Sequence, residues 1–211
     1  MELREALVQI SEIRAQMARG QVFRGYRSVT TAVSGAIALI AAALQPVLVP
    51  EPASHVKAYV IHWSAAAALS LAVVAVEMIV RARRSQSHVQ SQLTLLAVEQ
   101  FMPSVVAGAL VTYVVPTYCP AAALLLPGLW IILFSLGVFA SSRLLPRASF
   151  YVAGGYLLAG LLALVLATRG WAYWPWLMGL AFGTGQLVMA GVLYCRLEKP
   201  TGQGLTSGGG R

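Results

Sequence analysis

The sequence predicts an all-α polytopic membrane protein, with six transmembrane helices in a bundle of three hairpins behind a short amphipathic N-terminal helix. Three observations carry this. First, charge is scarce: the 211 residues are 58% hydrophobic and only 10% charged, with mean hydropathy +0.73, where an ordinary soluble domain is about 25% charged. Second, the apolar residues gather in runs of the length that crosses a bilayer core, roughly 20 residues each. Third, the bases fall almost entirely into alternate connections between those runs. The seven acids are all Glu, so the formal charge of +8 reflects missing acids rather than abundant bases. This composition excludes a soluble globular domain, a disordered chain and a basic nucleic-acid-binding domain.

Residues 1–20 are read as an amphipathic helix. Leu3, Leu7, Ile10, Ile13 and Met17 recur every three or four positions, interrupted by Glu2, Arg4, Glu5, Arg14 and Arg19. Acids lie early and bases late, as the helix dipole favours, and Gly20 suits a C-terminal stop. A secretory signal would place its charge first and then a clean apolar stretch. The segment fits a helix lying on the membrane or against the bundle; a short dimerisation helix is the alternative.

Residues 28–195 form the transmembrane domain. Its runs are Ser28 to Val49, Lys57 to Val80, Leu93 to Pro116, Cys119 to Ser141, Ala148 to Ala167 and Tyr173 to Cys195. Each is long enough to span at about 1.5 Å per residue. Only Thr117 and Tyr118 separate the third run from the fourth, which requires a tight hairpin. Residues 200–211 are Gly/Ser-rich and aperiodic, and read as a disordered tail.

Orientation follows from the bases. With both termini cytoplasmic, all fifteen Lys and Arg except Lys57 and Arg169 lie inside, and five or seven spans would destroy that partition. The expected location is the cell inner membrane, multi-pass, with the cytoplasmic collar favouring anionic lipid at that face. Trp63, Trp130, Trp171, Trp174 and Trp176 fall near outer ends, where interfacial anchors belong.

A threefold recurrence accompanies the runs. Ser34-Gly35, Ala107-Gly108 and Gly154-Gly155 occupy odd-numbered spans, while Trp63, Trp130 and Trp176 open even-numbered ones. Parallel repetition of a helical hairpin would produce this order, as would the frequency of Gly and Trp in these membrane zones. Gly108, Gly155, Gly179 and Gly183 are the expected helix-packing positions.

Four polar groups stand out within the spans. Glu77 and Glu99 lie on consecutive antiparallel runs and reach the same inner layer, so they could form a cytoplasm-facing cation or proton site. Alternatively each is paired locally, Glu77 with Arg81 four residues on and Glu99 with Arg27 or Arg84. His62 is either a titrating relay or a hydrogen-bonded packing residue. Gln186 follows the Gly179/Gly183 pair by about one turn, on a face suited to the bundle interior or to a homo-oligomer seam. Pro103 and Pro127 would free backbone carbonyls in the third and fourth runs. Cys119 and Cys195 fall at opposite ends of the membrane and cannot pair. No metal-ligand spacing, P-loop, nucleophile elbow or Cys pair motif is present, and without Asp no Asp-based metal site is available. No catalytic residue, cofactor, metal or nucleic-acid partner is expected.

The segments YRSVTTAVSGAIALIAA, EQFMPSVVAGALVT, LPGLWIILFSLGVFASSRLLPR and GLAFGTGQLVMAGVLY together resemble an uncharacterised bacterial family of small six-helix inner-membrane proteins, often encoded beside winged-helix transcriptional regulators. The resemblance implies the fold and the membrane, and no activity. Related sequences tend to carry His where this chain has Gln186, a departure that removes the group a titrating or metal role there would need. Two functions fit the residues. One is a non-catalytic sensor, regulatory or assembly component, in which Glu77 and Glu99 are paired or wet. The other is a small transporter or channel, with a midplane cavity lined by Gln186, Glu99 or His62. The first is favoured, because each polar feature has an adequate structural explanation.

Overall fold

A computed structural model describes residues 28–84, 88–142 and 144–195. The expected amphipathic helix at 1–20 and the tail at 200–211 lie outside the described residues. Six helices there are long and apolar enough to cross a membrane, and the described residues contain no strand. They are α1 (Ser28–Leu48), α2 (Val56–Arg84), α3 (His88–Tyr118), α4 (Leu126–Ser141), α5 (Ala148–Leu166) and α6 (Pro175–Leu193).

The helices are built for lipid. In α1 the buried stripe is Ser28, Thr30, Thr31, Ser34, Gly35, Ala38, Ala41, Ala42 and Gln45, all small or polar. The large apolar side chains Val29, Val33, Ile40, Leu44 and Val47 point outward. In water this would be inverted. In a bilayer outward Val and Leu cost nothing, and inward small residues let backbones approach and make van der Waals contact.

The connections follow local chemistry. α1 ends just before Pro50, which cannot continue a helix, and the Glu51 carbonyl accepts the Ser54 and His55 amides in the turn into α2. α3 runs through Tyr118, so the reversal into the fourth span falls at Cys119 rather than at Thr117-Tyr118. There a 3₁₀ segment, Pro120–Leu125, leads into α4. Pro127 consequently sits in the first turn of α4, where its missing N–H costs no hydrogen bond; only Pro103 and Pro116 interrupt the ladder of α3. α5 closes through a wide turn, Ala167–Trp171, whose Gly170 has φ +86, a conformation other L-residues adopt only with strain. Trp174 is extended ahead of Pro175, as a residue before proline tends to be, and α6 begins there.

The broadest helix contact joins the first span to the last. α1 lies along α6, α4 along α5 and α3 along α4, whereas α2 and α3 touch over a short stretch only. Two crossings are tight for a stated reason. A Cβ on Gly179 would fall 2.4 Å from the Ala42 Cβ, and one on Gly183 2.6 Å from Leu39. On the other side, Gly128 and Gly160 bring α4 and α5 together: a Cβ on either would fall about 3 Å from the other's carbonyl oxygen. Gly108, Gly154 and Gly155 have open space around the Cβ position. The three small-Gly pairs thus occupy different surroundings: Ser34 and Gly35 are buried against α6, while Gly155 is exposed.

Candidate functional site: an uncharged cavity within the membrane span

Small side chains on facing helices leave room between them. α2 presents Ser64-Ala65-Ala66-Ala67-Ala68 and Ser70, and α3 presents Ser104, Gly108 and Ala109. Where these stretches face each other, with α1, α4 and α6 behind, a cavity of about 520 Å³ opens. Its walls are mainly apolar, with Phe101, Phe134 and Phe182 among them. Among the described residues no ionisable side chain lines it. Ala67, Ala68, Leu71 and Ala109 line it and are also exposed, so it reaches the lipid-facing surface near the middle of α2 and α3.

The end nearer the α1–α2 and α5–α6 connections is closed by aromatic groups. Trp63 donates its indole N–H to Gln45 Oε1 at 3.0 Å, and Gln45 donates through Nε2 to the Tyr173 carbonyl at 2.8 Å. One amide therefore links α1, α2 and the α5–α6 connection. Trp130 donates to Thr112 Oγ1 at 2.8 Å, and that hydroxyl donates to the Gly108 carbonyl at 2.6 Å. Tyr59 stacks parallel to Trp130 with centroids 6.4 Å apart and meets Tyr173 edge-on at 4.8 Å. The Tyr59 hydroxyl is buried without a hydrogen-bond partner among the described residues. Tyr173 lies outside the spans, and burial raises its phenol pKa, keeping the group neutral. Trp63 and Trp130 are therefore interior residues; Trp63 is only 4% exposed. Trp171, Trp174 and Trp176, in contrast, are exposed.

The opposite end of the cavity carries Gln186, placed there because α6 approaches α1 so closely at Gly183 and Gly35. Its amide makes no hydrogen bond among the described residues. Of the other hydroxyls nearby, Ser34 is engaged with the Thr30 carbonyl at 3.2 Å.

The remaining sequence-predicted groups lie elsewhere. His62 Nε2 bonds the Ala41 carbonyl at 2.9 Å, joining α2 to α1 outside the cavity lining. Because a carbonyl only accepts, this nitrogen carries the proton. Glu77 is half-buried and accepts from the Thr30 hydroxyl, which makes its described partner a residue of α1. The side chains of Arg27, Arg81 and Arg84 lie outside the described residues. Glu99 is exposed, in a shallow apolar groove beside Met102, Pro103 and Val106. Glu77, Glu99, His62 and Gln186 are not gathered into one site: Gln186 alone of the four lines the cavity. Among the described residues no three His, Cys or Glu side chains lie together as metal ligands would, and Cys119 and Cys195 are both free and exposed.

Gln45 and the Thr112–Trp130 pair were not singled out by sequence reasoning. For Gln45 a signal existed: an amide inside an apolar run, one residue before Pro46, needs a partner in lipid. Comparison with protein families, curated proteins and solved structures gives no match to this chain.

Proposed function

We propose that this chain is a non-catalytic integral protein of the inner membrane, acting as a sensor, regulatory or assembly component. Both termini are cytoplasmic in this reading, and helix 1–20 rests on anionic lipid. The three-hairpin arrangement, the placement in the resembled family and self-association belong to the same proposal. One observation carries it: among the described residues the interior cavity has no charged lining, while Glu77 and Glu99 are engaged or exposed elsewhere. An ion pathway requires charges or closely spaced polar groups to replace the hydration shell. The described lining carries no charge, and its few hydroxyls and one free amide are set in a mainly apolar wall.

A transporter of an uncharged solute is the second reading, favoured by Gln186 facing the cavity. Liposome flux separates the two. Wild type, Glu77→Gln and Glu99→Gln are expected to leave proton, potassium and amphipathic-cation flux at the level of protein-free vesicles. Flux that disappears in Glu99→Gln would establish an ion transporter and end the sensor reading.

A further inference from the structure

We propose that the cavity is a binding site for a neutral, largely apolar molecule drawn from the bilayer, anchored by one hydrogen-bonding group on the Gln186 amide. The volume, about 520 Å³, falls in the range of sites that take drug-sized ligands, about 300–1,000 Å³. Such sites pair apolar and aromatic walls with a few convergent polar groups, as here. Three alternatives for the contents are disfavoured. Water needs two to four polar partners per molecule, and most of this wall supplies none. A charged molecule would leave water for a space where no described residue supplies a counter-charge. An unfilled space of this size would forfeit the dispersion contacts of its whole lining.

The polar anchor follows by accounting. Thr112 and Trp130 are bonded to each other, Trp63 to Gln45, and Ser34 to the Thr30 carbonyl; Ser64, Ser70 and Ser104 also line the wall, each with a single hydroxyl that can turn to a carbonyl of its own helix. Gln186 offers both a donor and an acceptor that no described residue uses. A hydroxyl, carbonyl or amide on an otherwise apolar ligand satisfies it. The route is lateral: α2 and α3 touch little, and the exposed lining at Ala67, Ala68, Leu71 and Ala109 lies along the middle of their spans. A bilayer-dissolved molecule can enter there without crossing water.

The assignment rests on the preceding section only in taking the chain as membrane-embedded, and its test is separate from ion flux. The full chain is placed in lipid nanodiscs with Trp171, Trp174 and Trp176, all exposed, changed to Phe. The remaining tryptophans, Trp63 and Trp130, line the cavity and are excited selectively over tyrosine. The probe is dodecanol carrying a terminal bromine, a contact quencher; the charged comparator is the matching bromododecyl trimethylammonium. Saturable quenching by the alcohol and none beyond the lipid background by the ammonium are expected. Gly108→Leu, whose side chain enters open cavity space, should weaken the alcohol's apparent affinity by about tenfold or more. Ala67→Leu at the mouth should weaken it likewise, should the Gly108 variant fail to fold. Gln186→Leu should lower affinity for the alcohol but not for bromododecane. Gly155→Leu, exposed and facing open space, should bind as the parent does. Non-saturable quenching, equal quenching by the ammonium, or unchanged affinity in folded Gly108→Leu and Ala67→Leu proteins would overturn the site. Ion flux with intact alcohol binding would instead sink the sensor reading and leave the site standing.

Discussion

Gln45 is the residue whose loss should be felt most widely. It is 1% exposed and its amide is used at both ends, accepting from Trp63 and donating to the Tyr173 carbonyl. Gln45→Leu conserves most of the volume and removes both bonds. The buried Trp63 N–H then loses its acceptor and the Tyr173 carbonyl its donor, a cost of about 1–3 kcal/mol. Thermal unfolding in mild detergent should show the loss, accompanied by a changed Trp63 emission maximum in the background lacking the three exposed tryptophans. An unshifted melting temperature would mean that water or lipid headgroups satisfy both groups. His62 stands in contrast. Its single bond to the Ala41 carbonyl ties α2 to α1 at one point, so His62→Phe should cost less than Gln45→Leu in the same assay. Sequence reasoning weighed His62 because an ionisable group in a span attracts attention. It passed over Gln45 because an uncharged amide does not, although in lipid both must find partners.

At the scale of the helix, the glycines separate two kinds of surface that look alike in the sequence. Gly179 and Gly183 seat α6 on α1, and the added methyl of Gly179→Ala would collide with Ala42. Overpacking of this kind costs about 1–3 kcal/mol. The double variant Ala42→Gly with Gly179→Ala exchanges the methyl across the contact and should recover most of the loss, a coupling that a double-mutant cycle measures directly. Additive destabilisation would show that the two residues do not meet. Gly155→Ala should be neutral or slightly stabilising, because nothing opposes its Cβ and Ala favours helix over Gly by roughly 0.5–1 kcal/mol. Span existence was legible because hydropathy is a local property, and the Gly179/Gly183 spacing was legible because it marks one helix face. Which face meets which neighbour was not, since that is decided by packing across the fold. Hence Trp63 and Trp130, at plausible interfacial positions, turn inward, and Gly108, a plausible packing position, borders a cavity instead. The cavity was written in the Ala and Ser tract of α2, but only its opposition to Ser104 and Gly108 on α3 gives that tract meaning.

For the whole molecule, the number of crossings converts into a test of orientation. Cys119 sits at the reversal between α3 and α4, and Cys195 just past the end of α6. Three helices, α4, α5 and α6, separate them, so an odd number of crossings puts the two thiols on opposite sides of the bilayer. Both are exposed and free, which makes each reachable from its own side. The distribution of bases then says which side is which. Lys57, at the start of α2, and Arg169, in the turn after α5, share the Cys119 side, while Arg83 and Arg147 lie with Cys195. Since cytoplasmic loops collect Lys and Arg, Cys119 should face outward. A membrane-impermeant maleimide applied to intact spheroplasts should label wild type and Cys195→Ser, and leave Cys119→Ser unlabelled until the membrane is permeabilised. Labelling of Cys119→Ser in sealed cells, with Cys195→Ser protected, would invert the molecule and leave the bases unexplained. Labelling of both single variants from outside would put both thiols on one face, breaking the odd count itself and with it the assignment of six spans.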